Sequence, residues 1–254
     1  MTRFISILSG KGGVGKTTTA INLGAALSSA GKEVVVVDGN IATPNVGLQL
    51  GVSKFPITLQ DVMRGEKTLR DAIYLHSSGL KFVPASISLE SARETDSDSI
   101  SKVMLDLYGT ADIVLIDGAA GIGNEALSVL KSSDEVIIVT NPEIPAVTDA
   151  LKMSKVAREN GTKIYGVIVA RTSGKNDVSA ENISAILDAP VIAEIPEDAK
   201  IKEALSMKQP VVFSHPEADS SIAYKKLAAK MLGQNYNPQL KRKSFFERLF
   251  SKKQ

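Results

Sequence analysis

The chain has 254 residues, of which 43% are hydrophobic and 23% charged, the composition of a globular protein with one large domain or two small ones. It contains no cysteine and two histidines, which excludes disulfide scaffolds, cysteine-ligated metal clusters and cysteine nucleophiles. The net charge is +2, but residues 241–254 hold six Lys/Arg and one Glu, so the rest of the chain is net acidic, which disfavours nucleic-acid binding. No apolar run approaches the roughly 18 residues that span a bilayer, and we expect a cytoplasmic location.

Short apolar runs, several of them solid valine, isoleucine and leucine, alternate with amphipathic segments along the chain. In chain order, strands are predicted at residues 3–8, 33–37, 80–83, 112–116, 135–139, 164–169 and 191–195. Helices are predicted between them at residues 16–30, 100–108, 124–131, 146–160 and 179–187. This alternation predicts an α/β fold with a doubly wound, mostly parallel sheet and helices on both faces. Ligands of such folds bind at the carboxyl ends of the strands.

The alternating pattern ends near residue 233, so residues 1–233 are predicted to form the folded domain. Residues 234–240 are polar and include a proline, a composition typical of a linker. Residues 241–254 are predicted to form a separate basic tail.

The segment between the first strand and the first helix reads G-K-G-G-V-G-K-T and fits the phosphate-loop pattern G-x-x-x-x-G-K-[ST]. Its glycines let backbone amides close around phosphate oxygens. We expect Lys16 to reach the β- and γ-phosphates and Thr17 to hold Mg²⁺. The predicted nucleotide-binding residues of this segment are Gly10, Lys11, Gly12, Gly13, Val14, Gly15, Lys16, Thr17 and Thr18.

The string Lys-Gly-Gly-Val-Gly-Lys-Thr resembles the deviant phosphate loop of the MinD/ParA family of ATPases, and archaeal-type MinD proteins are the closest match within that family. The resemblance covers essentially the whole chain and includes residues 37–40, 43–48, 116–123, 140–143 and 195–198. It implies a P-loop NTPase fold, ATP and Mg²⁺ as cofactors and an ATP-dependent homodimer. It also implies that Lys11 crosses the dimer interface to the ATP of the partner; a solvated loop lysine is the alternative.

Asp38 and Asp117 each end a predicted strand beside the phosphate loop, where a carboxylate suits Mg²⁺ directly or through water. The alternative for either residue is to cap the helix that follows. By the resemblance, Asp117 is the Walker B aspartate that leads into switch II. Asp149 matches an aspartate near the switch and partner surface of the family; the alternative is an ordinary charge on a helix surface.

Two positions depart from the family pattern. MinD proteins commonly have Asp-x-Asp in switch I, where the second Asp helps to position the attacking water, but this chain has Asn40 there. An amide orients water but is a poor base, so Lys11, Lys16 and Asn40 are the expected catalytic residues of a slow enzyme. Near the adenine, the usual Asn-Arg pair is replaced by Ala170 and Arg171.

On the adenine side, Arg171 is expected to stack on the base, and the backbone of Pro196 and Glu197 to frame it. A plain surface or turn role is the alternative for each of these three residues.

The tail is predicted to bind anionic membrane. On a helix, its apolar side chains occupy positions i, i+1, i+4 and i+5 and share one face. They are Phe245, Phe246, Leu249 and Phe250. The Lys/Arg residues at 241–243, 248, 252 and 253 flank that face, the pattern of a basic amphipathic surface helix. A terminal helix packed on its own domain is the alternative.

The resemblance and the tail together predict a MinD-like ATPase. Its ATP-dependent dimer would bind the inner face of the cell membrane reversibly and position division or other cell-surface machinery. An unidentified protein activator or cargo is implied. The alternatives are a ParA-type partition ATPase on DNA and, because of Asn40, a nucleotide-binding scaffold with little turnover. Iron–sulfur relatives of the family are excluded by the absence of cysteine.

Overall fold

All of the predicted strands are present, and they lie in one sheet. A computed structural model describes residues 1–88, 90–91, 96, 99–174 and 177–236, and its strands β1–β8 are Arg3–Ser9, Val34–Asp38, Tyr74–Leu75, Lys81–Val83, Ile113–Ala120, Glu135–Thr140, Lys163–Thr172 and Val191–Pro196. Their order across the sheet is β3-β4-β2-β5-β1-β6-β7-β8. Neighbouring strands are parallel except β3 and β4, which are antiparallel. The predicted mostly parallel sheet is confirmed.

The helices connect the strands and cover the sheet. In the part of the chain that the structure describes, α1–α10 are Lys16–Ser29, Val46–Gln49, Leu59–Met63, Ile100–Met104, Asn124–Lys131, Ile144–Glu159, Ala180–Leu187, Ala199–Ser206, Val211–Ser214 and Asp219–Met231. Two short 3₁₀ turns lie at Leu69–Ala72 and Leu105–Leu107.

Alternate residues of each central strand point to opposite faces of the sheet, and both faces are buried. In β1, Phe4 and Leu8 join the hydrophobic core on one face, and Ile5 and Ile7 join the core on the other. The first core also contains α4, α5, α6 and α7, and the second contains α1, α8, α9 and α10. The prediction of helices on both faces is therefore confirmed, and the solid valine and isoleucine runs are explained.

The predicted and observed elements differ in several places, and helices α2, α3, α8 and α9 have no counterpart among the predicted helices. The helix predicted at residues 100–108 ends at Met104, because the chain tightens into a 3₁₀ turn and then reverses at Gly109, whose φ is 74°. Strand β3 has two residues, too few to give a sequence pattern. Helix α10 was missing from the prediction, because the small side chains of Ala223, Ala228 and their neighbours weaken its apolar stripe.

The main helices all begin beside the carboxyl ends of the strands, which we call the carboxyl edge. Helices α1, α5, α6 and α7 follow β1, β5, β6 and β7 directly in the chain. Helix α10 begins there too, since Asp198, which follows β8, accepts hydrogen bonds from the backbone and hydroxyl of Ser220 at 3.2 and 2.7 Å. The connections therefore bring the predicted site residues to one edge of the sheet.

The structure describes residues 234–236 of the predicted linker. The rest of the linker and the predicted amphipathic helix at 241–254 lie outside the described residues. Among the described helices, none combines the length and the apolar character that crossing a membrane requires.

Candidate nucleotide site

The phosphate loop joins β1 to α1 in the conformation that the motif requires. Gly13 and Gly15 have φ values of 78° and 99°, which side chains with a Cβ rarely adopt. Helix α1 begins at Lys16, and the Ser9 hydroxyl closes the loop by donating to the Lys11 carbonyl at 2.7 Å. The structure thus forms a glycine-rich turn that opens onto the first turn of a buried helix, the arrangement that cradles phosphate.

The loop rests on α6 through Gly10. A Cβ added at Gly10 would lie 2.0 Å from the backbone oxygen of Asp149, so only glycine allows this approach. The Asp149 side chain turns to Lys152, with which it forms an ion pair at 2.9 Å. Asp149 therefore supports the loop through its backbone, and its place near the partner surface stays a prediction.

Two carboxylates lie side by side under the loop. Asp38 and Asp117 are paired in register on β2 and β5, and both are fully buried. The Thr17 hydroxyl donates to Asp117 Oδ2 at 2.6 Å, which ties the first turn of α1 to β5. Among the described residues, Asp117 Oδ1 has no hydrogen-bond partner. A buried carboxylate oxygen without a partner is costly unless a ligand completes it.

The electrostatics of this pair fit a cation. Burial, and after it the neighbouring Asp117 carboxylate, raise the pKa of Asp38 to about 8. Burial also raises the pKa of Asp117 to about 6, although Lys16 and Thr17 oppose the change. The described residues include no group of three or more acidic or histidine side chains that could hold a metal alone. Mg²⁺ needs no such group, because one or two carboxylates, water and substrate phosphates complete its shell.

Asp38 also holds the loop that follows β2. Its Oδ2 accepts the backbone N–H groups of Asn45 and Val46, both at 2.9 Å, and its Oδ1 accepts that of Asn40 at 3.3 Å. The two residues at 45 and 46 begin the short helix α2. Asp38 thus makes the contacts of a cap, and its expected role at Mg²⁺ stays a prediction. Asp117 differs in having one oxygen without a partner among the described residues.

Asn40 makes its contacts within the same loop. Its Nδ2 donates to the Thr43 carbonyl at 2.6 Å, and its Oδ1 accepts from the Thr43 backbone N–H at 3.4 Å and hydroxyl at 3.1 Å. Asn45 Nδ2 donates to the same carbonyl at 2.7 Å. Sequence reasoning missed the part played by Thr43, and the spacing Asn-x-x-Thr is the signal that could have suggested it.

The residues predicted beside adenine meet at the ends of β7 and β8. Arg171 has a φ of 60°, an unusual value for a residue with a side chain, and its Nε lies 3.8 Å from Glu197 Oε2. The Glu197 backbone N–H donates to Thr172 O at 3.0 Å, next to the pairing of Pro196 with Thr172. Arg171 and Glu197 are both at least half exposed, so a planar base has access to them.

Asn141 connects this region to the phosphate loop, a contact that the sequence did not predict. Its Nδ2 donates to Ala170 O at 2.9 Å and lies 3.5 Å from Val14 O. The side chain thereby spans from β7 to the loop. Its place directly after β6, within the family-like segment 140–143, is the sequence signal that could have suggested this role.

The two lysines of the phosphate loop differ in exposure. Lys11 and Gly12 are exposed, and the Lys11 side chain forms no ion pair with any described residue. Lys16, by contrast, is only 9% exposed. Thr18 Oγ1 donates to Gln49 Oε1 of α2 at 3.4 Å. The structure therefore provides one buried and one free lysine on the same loop.

Comparisons with known proteins find relatives that match most of the chain. A ParA family model, described as NUBPL iron-transfer P-loop NTPase, matches residues 1–232. An uncharacterized ATP-binding protein of Methanocaldococcus jannaschii is 40% identical over 240 residues, covering 94% of this chain and 91% of that protein. The septum site-determining protein MinD of Neisseria meningitidis is 31% identical over 274 residues, covering 98% and 99%. The structure of MinD from Pyrococcus horikoshii, complexed with Mg-ADP, matches with a TM-score of 0.87 at 39% identity, covering 91% of this chain and 96% of that one.

Proposed function

Because this chain belongs to the ParA family of P-loop NTPases and has MinD proteins among its relatives, we propose that it is a MinD-like ATPase that uses ATP and Mg²⁺. The observation that carries the proposal is the contact of Thr17 with Asp117, whose second oxygen has no partner among the described residues. Thr17, Asp38 and Asp117 would hold Mg²⁺, directly or through water, and the ion would neutralise charge at the phosphates. Iron transfer is not proposed, because the chain has no cysteine for a cluster.

Lys16 and Lys11 bind phosphates of two different nucleotides. Lys16 is largely buried at the start of α1 and binds the β- and γ-phosphates of its own nucleotide as a point charge. Lys11 is exposed and acts on the nucleotide of a second copy, so that ATP bridges two chains. Arg171, Pro196 and Glu197 contact the adenine. Slow turnover fits Asn40, which lacks the carboxylate of many relatives.

The ATP-bound dimer binds membrane through its two tails. A single tail gains burial from Phe245, Phe246, Leu249 and Phe250, but ordering it on lipid offsets much of that gain. Two tails on one dimer bind far more tightly because the second binds at a high effective concentration. Hydrolysis would then release the protein, and repeated cycles would position a cargo on the inner face of the membrane.

Sedimentation with liposomes tests this function. The full chain is mixed with anionic or net-neutral vesicles in the presence of Mg·ATP, Mg·ADP or no nucleotide. We expect most pelleting with anionic vesicles and Mg·ATP, and Phe246→Glu should abolish it, since it places a charge in the apolar face. Ser244→Glu is the matched control, because it adds the same charge on the polar side of the predicted helix.

Two results would contradict the proposal. Equal pelleting in all nucleotide states would remove the ATP-dependent step. Pelleting of Phe246→Glu at the level of the unchanged chain would show that the tail is not the anchor. In the second case, ATP-dependent retention on DNA would favour the ParA-type alternative, which the acidic body of the chain otherwise disfavours.

A further inference from the structure

The loop that joins β2 to α2 is held by a set of hydrogen bonds that the proposed nucleotide chemistry does not explain. Three of them join the side chain of Asn40 to Thr43, and we call these three bonds the Asn40–Thr43 latch. Asn40 is 8% exposed, whereas Thr43 lies on the surface. The latch therefore links a buried amide at the nucleotide site to an exposed residue.

The latch uses the acceptor capacity of the Asn40 side chain. An amide oxygen has two lone pairs, and Asn40 Oδ1 already accepts from the Thr43 N–H and hydroxyl. One N–H of the Nδ2 group is also engaged, by the Thr43 carbonyl at 2.6 Å. An attacking water must donate a hydrogen bond to the group that orients it. In the latched arrangement, Asn40 has no free acceptor for that bond.

The same loop is fixed at its other end, so the latch does not relax by a small shift. Asp38 accepts the backbone N–H groups of Asn40, Asn45 and Val46. Asn45 Nδ2 adds a second donor to the Thr43 carbonyl at 2.7 Å. Freeing the Asn40 oxygen thus requires Thr43 itself to move, and the Thr43 hydroxyl is the side-chain contact that resists this.

We propose that Thr43 is a positioning residue that holds Asn40 in an orientation unable to receive the attacking water, and thereby limits ATP hydrolysis. This inference rests on the proposed ATPase function and on residue 40 as the position that orients water. Hydrolysis is then slow for two reasons: the loop conformation blocks the Asn40 oxygen, and an amide is a poorer base than a carboxylate. Opening the latch, by a partner or by substitution, raises turnover without changing nucleotide affinity.

The test compares Thr43→Val, which keeps the shape of the side chain but removes the hydroxyl donor, with Thr43→Ser, which keeps the donor. Turnover and KM for ATP are measured for both variants, for Asn40→Ala and for Asn40→Ala combined with Thr43→Val. We expect kcat of Thr43→Val to rise about two- to fivefold at unchanged KM, as the loss of one partly exposed hydrogen bond allows. Thr43→Ser should match the unchanged chain.

The double variant separates a latch from a general loosening of the loop. Because Thr43 acts through Asn40, Thr43→Val should have no effect on kcat when residue 40 is alanine. Hydrogen exchange of the nucleotide-free protein gives a readout independent of turnover, and the amides of residues 42, 43, 45 and 46 should exchange faster in Thr43→Val than in Thr43→Ser.

Three outcomes would overturn the inference. They are an unchanged kcat in Thr43→Val, an equal rise in the Asn40→Ala background, and identical exchange in the valine and serine variants. Absence of ATP turnover in every variant would instead overturn the proposed ATPase function and the inference with it. A chain that turns over ATP but does not respond to Thr43→Val would overturn the inference alone.

Discussion

The side chain that best marks this site as a ligand site is Asp117. Its two oxygens differ: one accepts the Thr17 hydroxyl at 2.6 Å, and the other is buried without a partner among the described residues. Lys16 lies close enough to oppose the burial effect on the pKa of Asp117. Burial of this charge costs stability in the nucleotide-free fold, and a bound cation would offset that cost, a combination common at functional sites.

Replacing Asp117 by asparagine should separate these two effects. Asparagine keeps an acceptor for Thr17 and removes the buried charge. The free energy of unfolding of the nucleotide-free variant should therefore rise by about 1–2 kcal/mol, and its unfolding temperature should rise with it. The additional stabilisation by Mg·ADP should shrink, because Mg²⁺ loses a charged ligand. Thermal unfolding with and without Mg·ADP measures both. A destabilised nucleotide-free variant would contradict the interpretation.

At this scale the sequence predicted residues whose role follows from a local motif, and missed those whose role depends on the fold. Lys16 and Thr17 follow from the phosphate-loop spacing alone. Asn141 could not be predicted as a bridge, because its partners Val14 and Ala170 are more than 25 residues away in the chain. Thr43 was missed for a different reason: a loop threonine has many ordinary roles, and only the distances show this one.

At the scale of elements, the contact between the phosphate loop and α6 is the tightest that a glycine makes in the described chain. The approach of Gly10 to the Asp149 carbonyl fixes the distance between β1 and the helix after β6.

Buried strands were predicted well because runs of valine and isoleucine have few other uses. Short helices such as α2 and α9 have four residues each, and their formation depends on contacts such as the Asp38 cap.

Gly10→Ala should therefore destabilise the nucleotide-free protein by about 2–3 kcal/mol, since the new methyl group overlaps a backbone oxygen that cannot move without shifting α6. Gly12→Ala is the matched control in the same loop, because its nearest neighbour would be the Ala120 methyl group at 3.9 Å. Its effect should stay below about 0.5 kcal/mol. Urea unfolding of the two variants checks this, and equal values would contradict it.

Asp198 determines where α8 and α10 begin. Burial raises the pKa of this carboxylate, but hydrogen bonds from the Lys200 backbone and from Ser220 outweigh burial and leave the pKa below its usual value. A depressed pKa means that the ionised form stabilises the folded state. That stability is present above the unfolded-state pKa of about 4 and is lost as the pH falls through the lower folded-state pKa.

Asp198→Ala should accordingly cost about 1–2 kcal/mol at pH 7, because it uncaps α8 and leaves the buried Ser220 hydroxyl without its acceptor. The difference from the unchanged chain should shrink as the pH falls from 5 toward 3. Chemical unfolding across this range measures it. Asp106→Ala, at an exposed aspartate, is the control, and a difference independent of pH would count against the assignment.

At the scale of the whole molecule, the exposed Lys11 side chain is a positive charge for which a single chain provides no ion-pair partner among the described residues. It projects from the same loop as the buried Lys16. Ile122 and Ile144, each about half exposed or more, follow β5 and β6 at the carboxyl edge. A second copy bound to this edge would cover Lys11 and the two isoleucines.

Lys11→Ala should leave nucleotide binding largely intact but keep the protein monomeric with a slowly hydrolysed ATP analogue, because the cation that would reach the partner's phosphates is removed. Light scattering with and without the analogue measures the mass. Lys131→Ala is the control, because Lys131 ends helix α5, far from the carboxyl edge where that helix begins; this variant should dimerise like the unchanged chain. Dimers of Lys11→Ala in equal yield would refute the role of Lys11 across the interface.

The common starting edge of the helices has an electrical consequence. Helices α1, α5, α6, α7 and α10 run in the same general direction, so their peptide dipoles add, with about half a positive charge at each amino end. These partial positive charges lie at the carboxyl edge beside the phosphate loop, although the side chains of the chain apart from the tail are net acidic. They would favour a polyanionic nucleotide at this edge over other parts of the surface. The association rate constant should therefore fall as salt shortens the Debye length, even in a chain whose body repels anions overall.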